Sequence, residues 1–191
     1  KTNGLALGFA DESLKADREL VLEAVRNSGL ALQFASDTLK ADRELVLEAV
    51  RSIGWFDTSA LQFASDTLKA DRELVLEAVR SAVKSSEFNS YHIELERVLE
   101  FSSDTLKADR VMMLEAVRND GLSLQFASDA LKADRELVLE AVKNDGRALE
   151  FTSDTLKADR ELVLEAVRNN SWARQYASYE LFDDPEIQNI F

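Results

Sequence analysis

Leu39-Lys40-Ala41-Asp42-Arg43 is a five-residue sequence that occurs six times in this chain, and a seventh, decayed copy reads Leu-Phe-Asp-Asp-Pro. The copies lie at Leu14–Arg18, Leu39–Arg43, Leu68–Arg72, Leu106–Arg110, Leu131–Arg135, Leu156–Arg160 and, in decayed form, Leu181–Pro185. Successive copies begin 25, 29, 38, 25, 25 and 25 residues apart, so the basic period is 25 with two insertions. A supersecondary unit repeated at such a period is typical of a solenoid.

Two helices are predicted within one unit. Asp42 is a good amino-terminal cap for a helix of about ten residues that ends near Arg51. The apolar spacing of Leu30–Leu39 predicts a second, shorter helix. Gly29 follows the long helix of the preceding copy, where a glycine in the left-handed conformation often ends a helix.

The predicted fold class is an all-α solenoid of about seven two-helix repeats, because one hairpin buries too little apolar surface to fold alone. We expect a single repeat array over residues 1–191, with insertions near residues 56–59 and 84–97. Its units are predicted at about 1–28, 29–53, 54–83, 84–120, 121–145, 146–170 and 171–191. Lys1–Leu7 is in phase with Arg26–Leu32. This phase predicts a chain that starts at the tail of a helix, as a fragment of a longer protein with more repeats upstream.

Composition narrows the class of partner. The chain of 191 residues has 23 Lys and Arg against 36 Asp and Glu, a net charge of −13, which disfavours nucleic acids. Charged residues interrupt every apolar run, so no membrane-spanning segment is predicted and a soluble protein is expected. There is no cysteine, and the sequence leaves cytoplasmic and organellar locations open.

The pattern from Gly29 to Val50, Gly-Leu-Ala-Leu-Gln-Phe-Ala-Ser-Asp-Thr-Leu-Lys-Ala-Asp-Arg-Glu-Leu-Val-Leu-Glu-Ala-Val, resembles a known repeat. That repeat is known only as a domain of unknown function, common in protist and algal proteins and in some effectors of intracellular bacteria. The likeness covers nearly the whole chain. It implies a helical repeat and no catalytic residue.

Departures from the repeat are the candidate binding sites. Trp55 and Phe56 are two aromatics where other copies have one Leu, and they could anchor a protein partner or fold back on the stack. The second insertion brings Phe88 and Tyr91. It either presents a binding patch or packs within the chain.

The long helix after this insertion also departs from the repeat. Val111 replaces an outward Glu, and Met112-Met113 replaces Leu-Val. Flexible thioethers suit an adaptable contact surface. Val111 and Met112 therefore join the candidate patch, with packing of the insertion on them as the alternative.

The carboxyl-terminal copy departs most. Trp172 replaces a Leu, and Phe182 and Phe191 add further aromatics. These residues form either a terminal cap or an apolar end that binds another subunit. Terminal repeats normally diverge, which favours the cap.

Catalysis is not expected. His92 is the only histidine, and without positioned partners a surface or packing role is predicted for it. The sequence has no Gly-rich phosphate loop, no nucleophile matched to a histidine and no metal-ligand spacing. We therefore predict no catalytic residue, no metal site and no cofactor, and no tight calcium binding by the dispersed carboxylates.

These features favour a non-catalytic scaffold that binds protein partners of unknown identity through an extended face. One concrete version is a peripheral subunit of a larger assembly, such as a chloroplast complex. The alternative is a targeting or binding module of a larger effector or enzyme whose active domain lies outside this chain.

Overall fold

The chain is helical throughout the part that the structure describes. A computed structural model describes residues 4–52, 60–86 and 93–190, and these residues contain α- and 3₁₀-helices and no strand. The predicted all-α repeat class is confirmed. Backbone contacts divide the chain into two compact units, Lys1–Leu106 and Lys107–Phe191. Each unit is described by itself, and the single array remains a prediction.

Each repeat is built from a 3₁₀-helix, a one-turn α-helix and a longer α-helix, here called the long helix. The 3₁₀-helices are Gly4–Phe9, Gly29–Phe34, Ala60–Phe63, Gly121–Phe126, Gly146–Phe151 and Ser171–Tyr176. The one-turn helices are Glu12–Lys15, Asp37–Lys40, Asp66–Lys69, Asp104–Lys107, Asp129–Lys132, Asp154–Lys157 and Tyr179–Phe182. The long helices are Arg18–Asn27, Arg43–Arg51, Arg72–Ser86, Arg110–Asn119, Arg135–Asn144, Arg160–Asn169 and a shortened Pro185–Gln188.

The fourth repeat differs from the others in its first segment. An α-helix, Ile93–Phe101, stands where the other repeats have a 3₁₀-helix. With nine residues, this helix is longer than the 3₁₀-helices of the other described repeats.

The long helices begin where the sequence predicts. In the second repeat, Asp42 Oδ1 accepts hydrogen bonds from the backbone N–H groups of Glu44 and Leu45, at 3.0 and 3.1 Å. An aspartate caps the other long helices in the same way. These carboxylates satisfy N–H groups that a helix leaves without an internal partner.

The shorter predicted helix is divided in two. The backbone is extended at Ala35 and Ser36, between the 3₁₀-helix and the one-turn helix. This extension points the Ser36 N–H at the carbonyl oxygen of Lys15 in the preceding repeat, 3.0 Å away. A hydrogen bond between neighbouring repeats therefore replaces the one that a continuous helix would make.

The recurrent glycine is present for close packing. The expected left-handed conformation is wrong, because no described residue has a positive φ. A Cβ on Gly29 would lie 2.4 Å from the carbonyl oxygen of Ala49, near the end of the long helix in the same repeat. A Cβ on Gly146 would meet the Ala166 carbonyl at 2.2 Å. Only glycine lets the 3₁₀-helix approach the long helix so closely.

The core of each unit lies between two layers of helices. In the second unit, successive 3₁₀-helices pack against one another, successive long helices do the same, and the two layers face each other. The first unit shows the same arrangement. The second repeat buries Leu32 from one layer and Leu45 and Val46 from the other, all fully. The neighbouring repeats of each unit thus share a continuous interior.

Candidate interaction surfaces

An arginine ladder runs along one edge of each unit. The arginine that begins one long helix donates through Nε to the capping aspartate of the next repeat, at 2.6 to 3.1 Å. Its Nη2 also pairs with the glutamate two residues after that aspartate. The Arg–Asp pairs are Arg18–Asp42, Arg43–Asp71, Arg110–Asp134, Arg135–Asp159 and Arg160–Asp184.

The ladder changes how its carboxylates titrate. The hydrogen bond from Arg135 lowers the pKa of Asp159, with further lowering from the N–H groups that this aspartate caps. Arg110 lowers the pKa of Asp134 in the same way. Opposite charge and hydrogen bonds to the charged form both favour ionisation. These shifts are explained by the contacts between repeats and require no catalytic role.

The two sequence candidates on the fourth long helix, Val111 and Met112, differ in exposure. Val111 is 61% exposed, at the position of Glu44 and Glu136 in other repeats. Met112 and Met113 are fully buried, at the positions of Leu45 and Val46. Met112 thus belongs to the core and does not contribute to an exposed patch.

A shallow groove lies between two long helices of the second unit. Leu114 and Leu139 form its apolar part, and the groove has a volume of about 370 Å³. Two ion pairs cross it, Arg110–Glu136 at 2.8 Å and Arg118–Glu140 at 2.9 Å. Val111 precedes Leu114 by three residues, so the two side chains lie on the same side of their helix.

The last described repeat combines a contact between Arg174 and Phe182 with exposed aromatics. Arg174 Nε donates to the carbonyl oxygen of Phe182 at 3.1 Å, and its guanidinium lies over the Phe182 ring, 4.4 Å from the ring centre. In the preceding repeat, the equivalent carbonyl of Lys157 accepts the Ser178 N–H. Arg174 thus supplies the donor that a further repeat would bring. Trp172 is 74% exposed.

Sequence reasoning missed Arg174, although the signal was available. This arginine stands where the other 3₁₀-helices carry a buried leucine, such as Leu149. A charged residue at a core position marks a repeat whose far side is solvated.

The first repeat has a second apolar surface that sequence reasoning missed. Leu5, Phe9, Leu14 and Leu20 are exposed. Of these, Leu20 also lines an open depression, together with Leu7 and Ala24, among others. Nothing in these residue types distinguishes them from the buried copies, so only the position of the repeat in the structure reveals them.

Several sequence candidates lie outside the described residues. These are Trp55, Phe56, Phe88, Tyr91, His92 and Phe191. Within residues 4–52, 60–86 and 93–190, no group of three or more Asp, Glu or His side chains could hold a metal ion. Over the same ranges, no helix has both the length and the apolar character needed to cross a bilayer.

Stacked three-segment repeats with a shared interior define a tandem α-helical repeat protein of the solenoid type. A family model described as a domain of unknown function, DUF4116, matches residues 1–40, 17–56, 42–94, 81–132 and 134–182. The chain belongs to this family. No curated protein and no solved structure matches it.

Proposed function

We propose that this chain is a non-catalytic scaffold that binds a protein partner through the outer face of the Arg110–Asn119 helix and the groove beside it. The observation that carries the proposal is the exposure of Val111. Residues with the same place in neighbouring repeats are glutamates that pair with the ladder, as Glu136 pairs with Arg110. An exposed apolar side chain at a position that is otherwise charged supports a contact surface.

The groove next to Val111 offers further contacts. Val111 and Leu114 present an apolar strip, and the arginines and glutamates at the groove supply hydrogen-bonding groups around it. An apolar centre with a polar rim is the usual composition of a protein interface. A partner with an apolar side chain flanked by charged residues would fit this strip.

Two assembly contexts are compatible with this role. The exposed Trp172 supports a peripheral subunit of a larger assembly, such as a chloroplast complex, because it gives a second possible contact at the carboxyl-terminal end. A binding module of a larger effector or enzyme would use the same outer face. In both contexts the proposed role is binding and not catalysis.

Site-specific crosslinking tests the proposal. A photoreactive amino acid is placed at position 111 or, as a matched control, at position 161, which holds a paired glutamate on another long helix. In an extract of the source cells, we expect one protein to be captured from position 111 and not from position 161. Capture of the same proteins from both positions, or crosslinks only within the chain, would contradict the proposal.

A substitution then measures the contact. With the captured partner purified, Val111→Glu restores the residue of the other repeats and should weaken binding by at least about fivefold, since loss of an interface anchor costs about 1 kcal/mol or more. The melting temperature should not fall, because the side chain is exposed. Glu161→Gln serves as the control variant and should leave binding unchanged.

A further inference from the structure

The amino-terminal side of the first repeat exposes apolar residues whose equivalents in the next repeat are buried or, at Phe34, half-buried. Leu20 is 42% exposed, whereas its equivalent, Leu45, is fully buried. Leu14 is exposed to the same extent, and its equivalent, Leu39, is buried. Phe9 is 97% exposed. Large apolar side chains gathered on one face mark a surface that another protein segment covers.

The polar groups of this face are those that a preceding repeat would engage. In the second repeat, Asp42 and Glu44 both pair with Arg18 of the preceding repeat. In the first repeat, the equivalent Asp17 carboxylate accepts only N–H groups of its own helix, from Glu19 and Leu20, among the described contacts. Glu19 is the equivalent of Glu44, so the first repeat presents Asp17 and Glu19 as an acidic pair. An arginine is the complementary group for this pair.

One backbone donor completes the match. Ser36 gives its N–H to the carbonyl of Lys15, and every later repeat in the described chain repeats this bond. The equivalent donor in the first repeat is the N–H of Asp11, for which the described residues provide no acceptor. The face therefore offers an apolar patch, an acidic pair and a backbone donor in the arrangement that the inner repeats use for stacking.

A second copy of this chain does not supply the complementary side. At its carboxyl-terminal end, the carbonyl of Phe182 is already bonded to Arg174. Pro185 stands where the other repeats have the ladder arginine, and its long helix ends at Gln188. The described residues of that repeat therefore offer neither the ladder guanidinium nor a free carbonyl at the equivalent position.

We infer that the amino-terminal face, formed by Phe9, Leu14 and Leu20 with the carboxylates of Asp17 and Glu19, binds one further helical repeat of this family. That repeat presents an arginine to the carboxylates and a backbone carbonyl to the Asp11 N–H. This surface is separate from the strip at Val111, and the inference does not depend on the proposed function.

The test adds a repeat to the full chain and measures whether the face is covered. A copy of residues 118–142 is placed directly before Lys1, which keeps the 25-residue register. Because the chain has no cysteine, Leu20→Cys provides a single reactive thiol. We expect the added repeat to slow alkylation of this thiol by at least about tenfold, as burial in a stable element restricts access to local opening.

Two controls separate stacking from other effects. Trp172→Cys at the far end should react at the same rate with and without the added repeat. In a further lengthened protein, the added copy carries Arg135→Glu, which places a negative charge against Asp17 and Glu19. This change should restore much of the reactivity of the Leu20→Cys thiol. Phe9→Cys repeats the measurement at a side chain so exposed that its replacement cannot disturb folding.

Two results would overturn the inference. One is an unchanged alkylation rate at both Leu20→Cys and Phe9→Cys in a lengthened chain whose circular dichroism shows the additional helix. The other is self-association of the original chain, detected by sedimentation, that protects Leu20→Cys and disappears in a Leu20→Glu variant. That result would make a second copy the occupant of the face.

Discussion

At the scale of single residues, the repeats serve as controls for one another, because equivalent positions differ in only a few places. Ser123 is fully buried in the 3₁₀-helix of the fifth repeat, and its hydroxyl has no hydrogen-bond partner among the described residues. Ala31 and Ala148 occupy the same place in other repeats and are also fully buried. The hydroxyl thus adds a desolvation cost without adding a contact.

Ser123→Ala is therefore expected to stabilise the protein by about 1 kcal/mol, since it removes a buried polar atom without leaving a cavity. The measurement is the free energy of unfolding from urea denaturation monitored by circular dichroism. Ala148→Ser is the matched reverse change in the next repeat and should destabilise the protein by a similar amount. A loss of stability in Ser123→Ala would mean that the hydroxyl makes a contact in solution.

Gly146→Ala is expected to destabilise the protein by about 2 to 3 kcal/mol, because the added Cβ would meet the Ala166 carbonyl and the long helix would have to move away. The same unfolding measurement applies. Gly8→Ala is the control, since the atoms nearest to its Cβ would belong to the ring of Phe34, a side chain that can shift. Equal costs at the two glycines would contradict the close-packing explanation.

At the scale of elements, the sequence predicted the long helices better than the segments between them. The signals for a long helix are local: the capping aspartate of Leu-Lys-Ala-Asp-Arg and the apolar spacing that follows it. The break at Ala35 and Ser36 depends on the carbonyl of Lys15, in another repeat, and local apolar spacing does not report it. The glycine likewise matched a local rule for helix ends, whereas its structural reason is contact with a distant carbonyl.

The candidate sites also differ in whether the sequence alone reveals their exposure. Exposure of Val111 follows from comparison with the glutamates at its position, and that comparison was possible from sequence. Burial of Met112 follows from the same comparison, because Leu45 holds its place in the core. The exposed Phe9 and Leu20 have the same residue types as their equivalents in the next repeat, the half-buried Phe34 and the fully buried Leu45. Their exposure depends on which repeat lies beside them.

The ladder predicts a dependence on pH. Because the pKa of Asp159 is lower in the folded chain than its ordinary value, the carboxylate favours folding above about pH 4, and this contribution is lost as the pH falls through the lowered pKa. In Arg135→Gln, the pKa of Asp159 should rise towards its ordinary value, and acidification should destabilise the variant less steeply than the parent.

Carbon-detected NMR titration of the aspartate carboxyl groups checks this expectation, together with urea denaturation at pH 7 and pH 3. Asp134, whose partner Arg110 is unchanged, provides an internal control in the same spectra. An Asp159 titration that does not respond to the substitution would show that its capping role alone sets the pKa.

At the scale of the whole molecule, the repeats have a direction. Within each unit, one side of a repeat gives an arginine and a backbone carbonyl, and the side of the next repeat that faces it gives carboxylates and an N–H group. In the last described repeat, Arg174 occupies the Phe182 carbonyl, while the amino-terminal face of the first repeat has exposed apolar residues.

Removal of one whole repeat should therefore leave a folded protein. Deletion of residues 121–145 would bring the Ser153 N–H to the carbonyl of Lys107 and Asp159 to Arg110. These are the same types of contact, formed between repeats that were not neighbours before. We expect an unchanged helical signal per residue and a cooperative transition at a lower temperature, because fewer interfaces between repeats remain. Circular dichroism with thermal melting measures both.

A deletion of residues 121–140 serves as the control for length. It is not a whole number of repeats, so the donor and acceptor groups no longer meet, and the transition should broaden or disappear. Similar melting curves for the two deletions would contradict matched stacking.

The bond from the serine N–H to the lysine carbonyl also bears on how a gene for such a chain can change. Because the inner repeats offer their neighbours the same atoms in the same places, unequal crossing-over between two such copies within the coding sequence yields a longer or shorter protein with intact junctions. Selection can then act on array length in single steps, without a period in which the product fails to fold.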